Sequence, residues 1–245
     1  MGQTEGERRR TMPDDAPFHV GLTPERVVEE AAAMTRETHL LGWTVRDLAR
    51  RLDVAASVLY HHVGGKDAIV RRVVERVLDA IPVPDAALPW QDWFRAIILP
   101  SREIIGAHPG VAKWLLMHGP TLTLLVPTVE HGVATLQRAG FGDRAALAYA
   151  ALLNNTLAAV AMGDDRRLVE DDGPRDHAAM LAQLDESDSP AITLIAATLV
   201  QPFVGETEQV RAADAAYFSF ILETTIAGLE ALLASLPAEA VPAER

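Results

Sequence analysis

Apolar residues recur at helical spacing along most of the chain, and nowhere do they alternate as they would in a half-buried strand. The first periodic segment opens at Leu22-Thr23-Pro24-Glu25, where Thr23 is placed to cap a helix and Pro24 to fill its first position. Val27, Val28, Ala31 and Met34 form its apolar line, which predicts a helix to about Thr38. Gly42 and Trp43 close the connection. Thr44, with Asp47 three residues later, is an N-cap signal for a second helix, on which Val45, Leu48, Ala49 and Leu52 share one face. Arg46, Arg50 and Arg51 fall outside that face and are expected in solvent or on phosphate. Val54 is an apolar turn residue, and Ala55-Ala56-Ser57 opens a third helix anchored by Leu59 and Val63. Gly64-Gly65 ends it. A fourth helix is predicted from Lys66 to about Ile81, with Ile69, Val73 and Val77 in register, and Pro82, Pro84 and Pro89 stop it.

Beyond the prolines the pattern predicts helices over 90–107, 109–118, 121–139, 143–163, 190–201 and 208–236. Gly140-Phe141-Gly142 separates two of them, and Gly163 to Ser189 reads as an acidic loop with one short helix. There is no internal repeat. The fold class is all-α: a three-helix helix-turn-helix unit followed by a larger helical domain. The expected organisation is a mobile arm over 1–21, a helix-turn-helix domain over 22–82, a larger helical domain over 83–237 and a tail over 238–245.

Charge changes this picture by its distribution. The net charge of -12 would repel nucleic acid if spread evenly. Residues 1–80 hold 12 Lys and Arg against 13 Asp and Glu, whereas residues 81–245 hold 10 against 21, so the acidity belongs to the second part. From Val54 to Lys66 there is no carboxylate, which leaves that segment free to approach phosphate. With 49% hydrophobic residues, the chain is too apolar for disorder and long enough for two cores. It has no cysteine, which excludes disulfides and thiolate zinc sites. Asn154-Asn155 and Gln201-Pro202 interrupt the longest apolar runs, and the arginines near the N-terminus precede no apolar signal core. The expectation is a cytoplasmic protein without a membrane span. Enzyme signatures are missing too: there is no G-x-S-x-G elbow, no H-E-x-x-H, no phosphate-cradling glycine loop and no Cys nucleophile. Asp164-Asp165 and Asp171-Asp172 are expected to be solvated loop carboxylates, with no metal and no cofactor.

The stretch TVRDLARRLDVAASVLYHHVGGK at 44–66 therefore reads as two short helices and a turn built for DNA. It also resembles the TetR family of ligand-responsive repressors. That family's helix-turn-helix has the form T-x-x-x-[IL]-A, a turn, then L-Y-x-H-[FV]-x-x-K, and Thr44, Leu48, Ala49, Leu59, Tyr60, His62, Val63 and Lys66 stand in those places. HPGVAKWLLMHGP at 108–120, the RAGF and DRAALAY segments from 138, and IAGLEALL at 226–233 look most like the tetracycline-repressor branch. The resemblance covers about residues 22–236 and is sharper in the first domain than in the second.

What the resemblance implies is a homodimeric regulator, a repressor released from a pseudo-palindromic DNA operator by a small amphipathic effector. The expected DNA-binding residues are Arg46, Ala56, Ser57, Val58, Tyr60, His61, His62 and Lys66, with phosphate contacts from Arg46, Tyr60, His62 and Lys66. Ala55 and Ala56 replace residues that are often polar in relatives, which favours apolar contact with thymine methyls over direct base hydrogen bonds. Arg8-Arg9-Arg10 either enters the minor groove or is simply solvated. Trp93, Trp114, Met117, His118 and Asn154 are candidates for lining an effector pocket, as aromatic walls with a few polar groups. Tetracycline is not the expected effector, because the metal-chelating histidine and glutamate of that repressor fall at Leu115 and Gly163, and its drug-contacting asparagine at Ile97. Ala146, Ala150, Ala227, Gly228 and Leu232 are candidates for close helix packing across a two-fold axis. The rival readings are a ligand-independent DNA-binding protein, which would lack a pocket, and an all-helical enzyme.

Overall fold

Helix boundaries follow the capping residues. In α1 (Pro24–Glu37), the Thr23 hydroxyl accepts from the Arg26 N–H with Pro24 in the first turn. In α2 (Val45–Arg51), Thr44 and Asp47 form a reciprocal capping box. The turn after α2 places Asp53 at φ +55, a left-handed conformation that a short polar side chain tolerates, and α3 (Ala56–Val63) follows. Gly64, at φ +89, ends α3 and α4 (Lys66–Asp79) begins. The computed structural model describes residues 22–119, 125–167, 176–204 and 207–236. The N-terminal arm with its three arginines, the C-terminal tail and Asp171-Asp172 lie outside the described residues.

Seven further helices complete the described chain: α5 (Trp90–Gly106), α6 (Val111–His118), α7 (Val126–Leu136), α8 (Ala145–Arg167), α9 (His177–Asp185), α10 (Pro190–Ile195) and α11 (Thr207–Ser235). No strand occurs among the described residues. Helix α7 runs into a π turn over Gln137–Phe141 in which Gly140 has φ +103, so the apolar stretch from Val126 to Asp164 is broken rather than one long rod. That stretch and α11 are long and apolar enough by composition to cross a membrane, yet α11 packs on α8, and α8 on α5 and α6. Arg95 holds α5 to α11 through a bidentate pair with Glu223 at 2.9 and 2.7 Å, and Gln91 donates to Glu230 at 2.8 Å.

Two readings of the sequence are corrected here. The Gly163–Ser189 segment holds one short helix, α9, as expected, but it does not begin as loop, because α8 continues to Arg167 and takes Asp164 with it. Asp164 is 1% exposed, and its Oδ2 accepts the Gly110 N–H at 3.1 Å, so it is a buried structural carboxylate rather than a solvated one. Arg51 is exposed as expected but not available to phosphate, because its guanidinium pairs with Glu37 and Glu30 of α1.

The Gly110 contact belongs to a seam between the first four helices and the remainder. The Leu40 N–H donates to the Pro109 carbonyl at 2.8 Å, and Arg36 Nη1 lies 3.2 Å from His108 Nε2. His108 Nδ1 is 2.9 Å from the Ile104 carbonyl, which places the ring proton on Nδ1 and leaves Nε2 to accept from Arg36. Desolvation, with a smaller contribution from Arg36, lowers the His108 pKa and keeps the ring neutral. Gly110 has φ +91, and a Cβ there would sit 2.3 Å from the His39 Nε2. Gly110→Ala is therefore expected to cost about 1–3 kcal/mol of stability through backbone strain and collision. Denaturant unfolding checks this, and an unchanged midpoint would contradict it.

Candidate functional site

The DNA-facing candidates share one surface around α2 and α3. Arg46, Ser57, Tyr60 and His61 are exposed, while Ala56, Val58, His62 and Lys66 are half-buried. Tyr60 is 55% exposed although it belongs to a helix whose Leu59 and Val63 are fully packed, so its ring is not held as core. The His61 and His62 rings meet edge to face at 5.9 Å. No ion pair involves Arg46 among the described residues, in contrast to Arg50, which pairs with Asp47 at 3.0 Å.

Lys66 does more than the sequence foretold. Its Nζ donates to the Leu41 carbonyl at 2.8 Å and to the Trp43 carbonyl, and lies 4.9 Å from the Trp43 ring centroid. Desolvation lowers its pKa. Two of the three ammonium protons thus tie the start of α4 to the α1–α2 connection, and one remains for an anion. Trp43 is itself fixed by its own N–H, which donates to the Thr35 hydroxyl at 3.0 Å. The reading surface therefore rests on α4 through a charge-assisted contact.

A cavity of about 550 Å³ opens between α4, α5, α6, α7 and α8, with Phe218 of α11 on its far wall. Of the five sequence candidates, Trp93 and Asn154 line it. Trp114, Met117 and His118 do not, because α6 turns Leu115 and Leu116 towards the cavity and carries those three on other faces. Trp114 instead stacks on His118 with ring centroids 4.2 Å apart, and the Arg71 guanidinium of α4 lies 5.9 Å from its centroid. Met117 is 77% exposed. Lining residues that the sequence reading missed include Tyr149, Leu153 and Leu157 of α8, Ile97 of α5, and Leu78 and Ile81 at the end of α4. Their 3.6-residue spacing was visible, but α8 is apolar on nearly every side, so periodicity alone could not separate cavity wall from core.

Ala146, Ala227, Gly228 and Leu232 are exposed on α8 and α11, and Ala150 is half-buried and also touches the cavity. On α11, the face opposite buried Phe218, Leu222, Ile226 and Leu229 presents Ala216, Phe220, Thr224, Ala227 and Ala231 without a charge. Leu147 at 73% and Phe220 at 66% exposure are large apolar side chains on these two helices.

No family model matches the chain. It is 28% identical over 177 residues to an HTH-type transcriptional regulator of Saccharopolyspora erythraea, covering 70% of this chain and 73% of that one. It is 27% identical over 221 residues to the class D tetracycline repressor protein of Escherichia coli, covering 88% and 92%. The fold is similar to that of the Streptomyces coelicolor TetR family protein ActR in complex with (S)-DNPA, with a TM-score of 0.65 at 21% identity over 86% of this chain and 98% of that one. With a capped helix-turn-helix on one surface and a helical second part enclosing a cavity, the chain is similar in sequence to transcriptional regulators of the helix-turn-helix type and in fold to a TetR family protein.

Proposed function

We propose that the chain is a ligand-responsive repressor, a homodimer that binds a pseudo-palindromic operator and releases it when a small molecule fills the cavity. One observation carries this reading: α4 touches both sites. Its first residue, Lys66, holds the reading surface, and Leu78 and Asp79 at its other end line the cavity. A guest that prefers one position of the α4 end shifts the spacing of two reading helices, which must match successive major grooves roughly 34–36 Å apart. A ligand-independent DNA-binding protein would have no use for such a cavity. Residues 22–82 would then form the DNA-binding unit and 83–237 the ligand-binding and dimerisation unit, acting in the cytoplasm where the DNA is.

Arg46, Tyr60, His62 and the free proton of Lys66 are assigned to phosphate, and Ala56, Ser57, Val58 and His61 to the groove. For an operator selected from random DNA, Tyr60→Ala is expected to cost about 1–3 kcal/mol of affinity. Lys66→Met is expected to flatten the salt dependence by about one counterion. A salt titration of both variants checks the assignment; unchanged affinity in both would remove this surface from the DNA site.

The charge-free face of α11 and the exposed start of α8 are assigned to the two-fold interface, where Ala146, Ala227 and Gly228 permit close approach. A Cβ on Gly228 meets nothing within 4 Å in the single chain, so a larger side chain there harms only what covers it. Gly228→Arg is expected to yield a folded monomer in sedimentation at micromolar concentration, where the native chain sediments as a dimer. A variant that remains dimeric would place the interface elsewhere.

A further inference from the structure

The seam between the first four helices and the remainder contains a bond that tolerates only a neutral histidine. Arg36 Nη1 of α1 lies 3.2 Å from His108 Nε2, and the other ring nitrogen, Nδ1, lies 2.9 Å from the Ile104 carbonyl. A carbonyl only accepts and a guanidinium only donates, so the ring carries its proton on Nδ1 and offers the Nε2 lone pair to Arg36. A second proton, on Nε2, removes that acceptor and sets two cations against each other. The neighbouring bond of the seam runs from the Leu40 N–H to the Pro109 carbonyl at 2.8 Å. Leu40 follows Arg36 by four residues and Pro109 follows His108 directly, so the two bonds share their flanking chain.

No carboxylate among the described residues bonds to the His108 ring to offset a positive charge. On the elements packed at the seam, Glu37 of α1 pairs with Arg51, Glu103 of α5 with Arg102, and Asp164 of α8 accepts the Gly110 N–H. Lys113 of α6 is exposed. His39, the other titratable ring, lies over Gly110 with its Nδ1 accepting the Leu41 N–H at 3.1 Å. Desolvation lowers the His108 pKa from the ordinary 6.5; the bond to Ile104 opposes that shift and the Arg36 charge adds to it. The closed seam therefore takes up a proton less readily than an open one. By linkage it loses ground as the pH falls below the ordinary histidine value, and the loss levels off below the lowered one.

We propose that the seam is an acid-operated catch: a proton on His108 Nε2 expels the Arg36 guanidinium, parts Leu40 from Pro109 and leaves the first four helices held through α4, so that operator affinity falls in acid. A head held at one place samples a spread of orientations, and only those that match the groove spacing retain the operator. The loss of affinity rests on the reading of the first four helices as the DNA-binding head, whereas the catch itself needs no DNA.

Hydrogen exchange reads the catch directly. From about pH 7.5 to about pH 5.5, after correction for intrinsic exchange, protection of the Leu40 amide is expected to fall about tenfold in the native chain. It is expected to hold in His108→Gln, whose side-chain oxygen accepts from Arg36 at either pH. The Leu48 amide, bonded to the Thr44 carbonyl inside the head, is expected to keep its protection throughout, which separates a parted seam from unfolding. In the native chain alone, the Leu40 loss is expected to track the titration of the His108 ring followed by NMR. Over the same range operator affinity is expected to fall about fivefold in the native chain relative to His108→Gln. The ratio cancels any charge gained by His61 and His62 on the reading surface, which would strengthen phosphate binding. Leu40 protection that ignores pH, falls equally in the variant or departs from the His108 titration would overturn the catch. A seam that parts with no relative loss of operator affinity would overturn its coupling to DNA. If neither protein holds a selected operator at any pH, the DNA-binding reading fails, and Leu40 protection decides the catch by itself.

Discussion

Helix α4 is the member on which the rest of the architecture depends, because it is packed along its length, into the reading head at one end and into the cavity wall at the other. Fourteen residues give it a length of roughly 21 Å at the standard rise. Ile69, Val70, Val73, Val74, Val77 and Leu78 are buried along its length, so it moves as a packed rod rather than a tether. Its N-terminal end is secured by electrostatics: the Lys66 ammonium meets two backbone carbonyls and the face of Trp43. That contact explains why a lysine suits this place. A neutral side chain could donate to a carbonyl, but it would lack the attraction to the ring face and could not also present a positive proton to a phosphate.

The division of charge has a related logic. A near-neutral first part and an acidic second part place the repulsion away from the duplex, and the reading surface itself contains no carboxylate between Val54 and Lys66. Within the acidic part, charge is also kept off the face of α11 that opposes its buried stripe. Glu223 and Glu230 stand beside the bare stripe on α11 and are turned to Arg95 and Gln91 of α5. Bonding to Arg95 lowers the Glu223 pKa, which keeps it ionised and committed to the same chain. The apolar stripe is thereby left for another surface.

Much of this was legible in the sequence, for identifiable reasons. Thr23, Thr44, Gly64 and Pro89 punctuate the chain by local backbone chemistry, and local chemistry does not depend on what the rest of the fold does. The long-range partners were not legible. Asp164 looked like a solvated loop acid because its role is set by Gly110, 54 residues earlier, and Arg51 looked free because its carboxylates lie on α1. Trp114 shows the same limit on one short helix: at helical spacing, a tryptophan facing the cavity and one facing Arg71 have the same sequence signal. Only the orientation of α6 against α4 and α8 decides between them, and that orientation is a tertiary property.

That orientation also constrains how the two parts can move. The first four helices join the remainder through α4 itself and through the seam at His108, Pro109 and Gly110, where Arg36 and Leu40 are bonded. Asp164 holds the seam from behind by accepting from Gly110, and it lies on the same helix as the cavity residues Tyr149 and Leu153. A body attached at two separated places does not translate freely; it turns about the line that joins them. A change in the cavity wall that leaves the seam intact therefore acts on the reading head as a rotation, and rotation is the displacement to which the groove spacing of a two-fold pair is most sensitive.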